Sequence, residues 1–122
     1  PSFGGFVIYV SDAAKAAIDL MAAPATAIIT RNYNIASIPE TVTAQELEAY
    51  LRSKYPGFDL RYTPDEHDVR VRSKFATMSR FDDSRAREEW KWCPDYGNLP
   101  DIVARFEADY LRSQATGGSP YG

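Results

Sequence analysis

The chain has 122 residues and a mass of 13.7 kDa, which is the size of one domain. Its net charge of −3 and pI near 5.1 argue against general binding to nucleic acid or to an anionic membrane. A single cysteine, Cys93, excludes an internal disulfide and a multi-cysteine metal site, and a single histidine, His67, excludes sites that need two imidazoles. The apolar runs are too short to span a bilayer and no signal peptide opens the sequence, so we expect a cytoplasmic protein.

A complete dinucleotide-binding fold is also excluded by length, because it needs several successive βαβ units of about 30 residues each. The glycines do not have the spacing of a dinucleotide fingerprint, since they cluster at Gly4-Gly5 and Gly117-Gly118. We therefore expect this chain to bind neither a nucleotide cofactor nor a metal by itself.

The first third of the chain predicts a strand, a helix and a second strand. Residues 6–10 form a continuous apolar run, which is typical of a buried strand. Ser11 and Asp12 are N-cap residues for a helix over 13–21. The second strand is predicted within 27–37, and the order strand, helix, strand favours a parallel pair.

A capping-box sequence at 43–46 predicts the start of a second helix that reaches about Tyr55. The alternating residues 58–62 then predict a short strand. Residues 65–79 are ambiguous between strand, helix and loop. As a strand, the stretch 68–75 would place its basic side chains together on one face.

Two further helices are predicted near the C-terminus. Residues 82–84 are rich in N-cap types and start a helix to about Trp90. Asn98 caps a last helix with an apolar side. The side chains of that helix predicted to be buried are Leu99, Ile102, Val103, Phe106, Tyr110 and Leu111.

These elements predict one small α/β or α+β domain over residues 1–113, with three or four short strands and about four helices. Residues 114–122 are small, polar or helix-breaking, and we predict a flexible tail there.

Four segments carry a resemblance to a known family. Residues 9–12 and the alanines after them resemble the motif Y-[IV]-x-D-x-x-x-A, and residues 33–35 resemble its Y-N-[VI] strand. Residues 43–56 resemble a T-x-E-E-L helix. Residues 82–94 resemble the longer and more distinctive signature D-D-S-x-A-x-x-D-W-G-W-x-P. In this order the segments resemble the C-terminal, substrate-binding half of extended short-chain dehydrogenases/reductases, nearest to the L-threonine 3-dehydrogenase and NAD-dependent epimerase/dehydratase type.

This resemblance implies a domain that shapes a small-molecule pocket, while the nucleotide site and the catalytic Tyr-x-x-x-Lys lie in the other half. It implies NAD as a cofactor when a nucleotide-binding half is supplied. The partner would be such a nucleotide-binding domain or a second copy in a homodimer. Where the family has D-S-W-P, residues 75–78 read Phe-Ala-Thr-Met, so the resemblance does not carry threonine over as the substrate.

The catalytic residue is unknown from the sequence. Tyr50 and Lys54 form a Tyr-x-x-x-Lys pattern on one helix face, with Ser37 13 residues upstream. Chance explains the pattern better, because 49 residues precede Tyr50 and a complete nucleotide fold does not fit in them. The weak catalytic candidates are Tyr9, Asp12, Tyr50 and His67.

At Asp12 the N-cap role is favoured over a catalytic one. Pro1 would offer a secondary amine as a base, as in tautomerases, if it were a mature terminus. However, the following residues 2–5 are typical of a loop rather than of the strand that such enzymes need.

Basic residues around position 72 are the predicted substrate contacts, since guanidinium and ammonium groups bind carboxylate or phosphate. The alternative is a solvated strand face. The predicted substrate-binding residues are Arg70, Arg72, Lys74, Thr77 and Arg80. Trp90 and Trp92 are predicted to pack in the core, and Cys93 has no obvious basic partner that would make it reactive.

Three functions follow as alternatives. The favoured one is a substrate-binding domain with no redox activity of its own. The second is a non-redox isomerase, epimerase or cyclase that acts on a small metabolite in a closed apolar pocket. The third is an interaction module whose exposed apolar surface binds a second copy.

Overall fold

The computed structural model describes residues 4–117; Pro1 and positions 118–122 of the predicted tail lie outside this range. In chain order the elements are strand β1 (Gly4–Val7), helix α1 (Val10–Ala22), strand β2 (Ile38–Thr43), and helices α2 (Ala44–Lys54), α3 (Glu66–Ser73), α4 (Ser84–Trp90) and α5 (Leu99–Thr116). The described part is a mixed α/β fold with five helices and one two-stranded sheet. The prediction of a mixed α/β class is confirmed, whereas the prediction of three or four strands is wrong.

The sheet is antiparallel, which corrects the predicted parallel pair. Gly4 lies opposite Thr43 and Val7 opposite Ile38, with an irregularity between Gly5 and Val7. The strand that pairs with β1 is β2 and not the predicted segment 27–37. Glycine is required at position 4, because a Cβ there would lie 2.8 Å from the Cβ of Thr41.

Helix α1 begins three residues earlier than predicted, so the expected N-cap at Ser11 and Asp12 is wrong. Tyr9 is the N-cap, with extended backbone and no capping hydrogen bond from its side chain. Asp12 lies in the first turn, where a carboxylate is favourable beside the unpaired N–H groups of the helix start. Its side chain makes tertiary contacts instead of a cap.

The ambiguous stretch 65–79 contains a helix, and the predicted strand at 58–62 is irregular in the structure. Helix α3 begins after Asp65, whose carboxylate accepts a hydrogen bond from the backbone N–H of Asp68 at 2.7 Å. Acidic residues occupy its first turn, and Arg70 and Arg72 its last turn, which matches the helix dipole. The cap and the charges, rather than an apolar face, start and stabilise this exposed helix.

The predicted caps of α2 and α5 are confirmed. Thr43 and Glu46 form both hydrogen bonds of the capping box at the start of α2. Asn98 accepts a hydrogen bond from the N–H of Asp101 at 2.9 Å at the start of α5. Helix α5 continues to Thr116, past the predicted start of the tail at residue 114, and ends at Gly117 in the left-handed conformation.

The buried core is centred on the two tryptophans, as predicted. Trp90 and Trp92 lie with ring centroids 5.8 Å apart and pack with Ala16 and Ala86. Tyr33 meets Trp90 edge to face at 5.7 Å, a favourable aromatic geometry. The core therefore joins α1, α4 and the connection before β2.

Glu89 on α4 holds that connection in place. Its carboxylate accepts hydrogen bonds from the backbone N–H groups of Ile29 and Thr30 at 2.8 and 3.0 Å, from the Thr30 hydroxyl at 2.6 Å and from the Tyr33 hydroxyl. These donors, the Thr30 and Tyr33 hydroxyls above all, lower the pKa of Glu89 from 4.5 to about 2. One carboxylate thus anchors a segment whose sequence is typical of a strand.

The free energy of unfolding is expected to fall as the pH is lowered from 4.5 toward 2, because the unfolded chain protonates Glu89 first. Above pH 4.5 the stabilisation is fully present. The Glu89→Gln variant should lose this part of the acid dependence in urea denaturation at a series of pH values. Glu88→Gln, at the exposed neighbouring position, should keep it; equal acid profiles for the two variants would contradict the assignment.

Lys91 follows α4 in the left-handed conformation, with φ of 63°. A side chain costs about 1 kcal/mol there, a cost that glycine avoids. We expect Lys91→Gly to raise the free energy of unfolding by several tenths of a kcal/mol to about 1 kcal/mol, measured by urea denaturation. Glu88→Gly, inside α4 with ordinary helical backbone, should lower it by about 1 kcal/mol.

Candidate functional site

Two of the catalytic candidates, Tyr9 and Asp12, lie in one buried network. The Asp12 side chain is fully buried. It accepts hydrogen bonds from the Ser37 hydroxyl and from the backbone N–H groups of Asp95 at 2.8 Å and Tyr96 at 3.3 Å. One carboxylate thereby connects the start of α1, the residue before β2 and the loop before α5.

Tyr9 extends the network toward α5. Its backbone N–H donates to the Ser37 hydroxyl oxygen at 3.0 Å, and its own hydroxyl donates to Asp109 at 2.8 Å. Asp109 also pairs with Arg105 at 2.9 Å, and these two donors lower the pKa of the Asp109 carboxyl group. We refer to Tyr9, Asp12, Ser37 and Asp109 as the polar cluster.

An apolar cleft of about 1010 Å³ lies beside the polar cluster, with Tyr9 in its wall. One side of the cleft is formed by β1, the end of β2 and α2, and the other by α5. Phe106, Tyr110 and Leu111 line it from α5 and are 44%, 46% and 61% exposed. The prediction that these three side chains are buried is therefore wrong: they face a cleft that is open to solvent.

An ion pair connects the two sides of the cleft. Lys54 at the end of α2 lies 2.7 Å from the carboxylate of Glu107 on α5, and Glu107 is part of the cleft wall. This hydrogen bond raises the pKa of Lys54 and lowers that of Glu107. The lysine of the Tyr50-x-x-x-Lys54 pattern thus pairs with Glu107, and Ser37 belongs to the polar cluster, an arrangement expected if the pattern arose by chance.

The predicted substrate-binding residues lie on three different parts of the fold. Helical geometry turns Arg70 and Arg72 about 200° apart, so α3 does not present them side by side. Arg72 is half-buried, lines the cleft and lies 5.9 Å from the ring centre of Tyr62. Arg70 is exposed and contacts His67 at 3.3 Å.

The remaining members of that set follow α3. Lys74 and Thr77 are exposed in the turns after the helix. Arg80 pairs with Glu40 at the edge of the sheet. Among the predicted anion contacts, the structure brings Arg72 to the cleft and leaves the others on the exposed segment around it.

The described residues lack the sheet at which dinucleotides ordinarily bind. NAD binds at the carboxyl edge of a parallel sheet with helices on both faces, whereas residues 4–117 contain two antiparallel strands. Within the same residues, no group of three or more acidic, histidine or cysteine side chains is placed to hold a metal ion. None of the helices described is long and apolar enough to cross a membrane.

The sequence does not indicate that Asp109 and Ser37 belong to the same cluster as Tyr9 and Asp12. The spacing of Arg105 and Asp109 on α5 is readable as a helical ion pair. Their connection to Tyr9 joins residues 100 positions apart, and no local pattern indicates it. Ser37 was noted for a different reason, its distance from Tyr50 along the chain.

Asp12→Asn is expected to lower the free energy of unfolding by about 1–3 kcal/mol, because an amide cannot accept all three hydrogen bonds in a buried site. Urea denaturation measures the loss. The matched control is Asp19→Asn on the same helix, where a partly exposed pair with Lys15 is replaced and the change should stay within about 0.5 kcal/mol. Equal losses in the two variants would contradict the central role of Asp12.

Comparison with known proteins finds L-threonine 3-dehydrogenases and an epimerase/dehydratase among the relatives, and no protein-family model matches the sequence. The chain is 33% identical to the mitochondrial L-threonine 3-dehydrogenase of Sus scrofa over 97 residues, which are 80% of this chain and 25% of that protein. It is also 33% identical, over 91 residues, to an uncharacterised epimerase/dehydratase of Staphylococcus haemolyticus, covering 74% of this chain and 27% of the relative.

Comparison with solved structures finds proteins of the same type. The GalE-like L-threonine dehydrogenase from Cupriavidus necator superimposes with a TM-score of 0.70 at 36% identity, over 85% of this chain and 32% of that one. The L-threonine dehydrogenase from Clostridium difficile gives 0.68 at 26% identity, over 89% and 33%. The chain spans about a quarter to a third of the length of these relatives. It is homologous to L-threonine 3-dehydrogenases and to an epimerase/dehydratase over one part of their length, a match that fits their C-terminal part.

Proposed function

We propose that this chain is the substrate-side domain of a protein similar to the L-threonine dehydrogenases and epimerases, and that it transfers no hydride by itself. The observation that carries the proposal is the match in sequence and structure to a quarter to a third of such enzymes. The described sheet has two antiparallel strands and does not fit NAD. NAD chemistry therefore requires a nucleotide-binding portion beyond the residues described.

The apolar cleft is the proposed place for a small-molecule substrate. Its walls exclude water from an apolar part of the ligand, and Tyr9 and Arg72 supply polar groups at its surface. Arg72 lies against the Tyr62 ring, and its guanidinium can bind a carboxylate or phosphate. The proposed substrate class is a small metabolite with an anionic group. Arg70, Lys74, Thr77 and Arg80 are proposed as outer contacts on the adjoining exposed segment.

Threonine is not the substrate that the residues favour. In the related signature an acid, a hydroxyl and an aromatic residue precede the D-D-S sequence, while here residues 75–78 are Phe-Ala-Thr-Met. These residues lie in the turns after α3, close in sequence to Arg72. Because Phe-Ala-Thr-Met is less polar than the sequence it replaces, a substrate that is larger and less polar than threonine fits these residues better.

Two proteins test the requirement for a nucleotide-binding portion. The first is this chain alone. The second is a chimera in which this chain replaces the matching segment of the full Cupriavidus necator enzyme. NADH fluorescence should show no binding to the chain alone and binding to the chimera. Binding of NADH by the chain alone, or isomerisation of a metabolite without cofactor, would contradict the proposal.

A pair of variants in the chimera tests the anion contact. Removing a hydrogen bond to a charged group costs about 1.5–3 kcal/mol, so Arg72→Leu should raise the KM for an acidic substrate by a factor of about 10 to 100. Arg31→Leu, at an exposed position outside the cleft wall, is the control and should change KM by less than about threefold. A similar rise in both variants would contradict the role of Arg72.

A further inference from the structure

Several polar side chains in the wall of the cleft are already engaged within the protein. The Tyr9 hydroxyl donates to Asp109 at 2.8 Å, and the Thr43 hydroxyl accepts the capping hydrogen bond of α2. The Glu107 carboxylate pairs with Lys54. A ligand with many hydroxyl groups, such as a sugar, would leave some of them without partners here, at a cost in affinity. The cleft therefore favours a ligand whose main part is apolar.

The apolar part of the wall is long. Its side chains on α5 run from Leu99 to Leu111, a distance of about 18 Å at 1.5 Å per residue. Leu47 and Leu51 on α2 belong to the other side. The volume of about 1010 Å³ is at the upper end of the range for small-molecule sites, roughly 300–1,000 Å³. An unbranched hydrocarbon chain can bury its length in such a cleft.

One charge in the wall has no counter-ion. The charged lining residues are Arg72 and Glu107, and Lys54 neutralises Glu107. The ion pairs found among residues 4–117 do not include Arg72. Arg31 and Arg70 also lack an acidic partner but are exposed, whereas Arg72 is half-buried. A half-buried guanidinium gains from an anion, and its planar fork matches a carboxylate.

We propose that the cleft binds an amphipathic carboxylate, with the carboxylate on Arg72 and an unbranched apolar tail along α5. The uncompensated positive charge of Arg72 on an otherwise apolar wall selects this occupant. The inference deepens the proposed function and rests on it, because it names the substrate class of the same cleft. Binding itself needs this chain alone.

Titration calorimetry of the chain with octanoate, decanoate and dodecanoate, each below its micelle-forming concentration, tests the tail. Every buried methylene group should lower Kd about three- to fourfold, so dodecanoate should bind at least about 80-fold more tightly than octanoate. An affinity that does not depend on chain length would overturn the proposal.

Compounds with the same tail and a different head group test the contact with Arg72. Decanoate should bind at least about tenfold more tightly than 1-decanol or decylammonium. Arg72→Leu should weaken decanoate binding about 10- to 100-fold and change that of 1-decanol by less than about threefold. Arg31→Leu is the control and should keep the preference for decanoate. Tighter binding of decylammonium than of decanoate would overturn the proposal.

Two matched double variants locate the tail. Phe106→Asn with Leu111→Asn places amides in the wall and should weaken decanoate binding at least about tenfold. Ile18→Asn with Met21→Asn changes exposed apolar positions on α1, outside the wall, and should leave Kd unchanged. All four positions are exposed, so circular dichroism should show both variants folded. If the first variant unfolds, each of its single substitutions should still raise Kd about threefold. Equal losses in the two double variants would place the tail elsewhere and overturn the proposal.

The two proposals fail in different ways. A chain that binds no decanoate, together with a chimera that binds NADH, would overturn the amphipathic ligand and leave the proposed function in place. Decanoate binding with the expected dependence on tail and head group, together with a chimera that binds no NADH, would support the ligand and contradict the proposed function. A chain that binds no decanoate but dimerises, and whose dimer the cleft variant dissociates, would overturn the proposal in favour of a second copy as the occupant.

Discussion

The fold depends on one buried carboxylate. Asp12 sits in the first turn of α1 and accepts hydrogen bonds from Ser37 and from the loop that precedes α5. A buried charge is tolerated when such donors surround it and is costly when they are removed. Because its donors come from two distant parts of the chain, Asp12 fixes the relative positions of three segments, its own helix included. The polar cluster, the wall of the cleft that contains Tyr9, and the start of α5 all follow from that placement.

Two apolar surfaces of the described residues are exposed to solvent. The cleft between α2 and α5 leaves Phe106, Tyr110 and Leu111 in contact with solvent, and Ile18 and Met21 are exposed on α1. A small domain buries little apolar surface, so large exposed apolar patches on it ordinarily mark a binding surface. The core itself is small and centred on Trp90 and Trp92. Both surfaces are understandable in a segment homologous to part of a longer enzyme.

Several local signals were readable from the sequence, although the start of α1 was misplaced and the cap at Asp65 was missed, whereas non-local signals were not readable. The capping residues Thr43 and Asn98 act within one helical turn, and both were predicted correctly. The strand partner of β1 was not, because pairing depends on residues more than 30 positions away. The strand predicted within residues 27–37 is wrong for the described structure, in which the carboxylate of Glu89 binds the backbone N–H groups of Ile29 and Thr30 instead.

The site shows the same division. The sequence named Tyr9 and Asp12 as candidates, and the structure places them in one network. The sequence left residues 65–79 open between strand, helix and loop, and only a strand would place Arg70 and Arg72 on the same face. The cap at Asp65 makes the stretch a helix, which separates the two guanidinium groups. A single capping residue therefore decided the layout of the predicted anion contacts.

The hydrogen bond from Tyr9 to Asp109 has a consequence for the order in which the protein is made. It joins residues 100 positions apart, and the donors to Asp12 at residues 95 and 96 are almost as distant. During synthesis, which proceeds from the N-terminus, Asp12 leaves the ribosome long before any of these partners. Strand β1 and α1 therefore reach their full set of native contacts only after residues 95–109 have been made, so this domain folds late and as a unit.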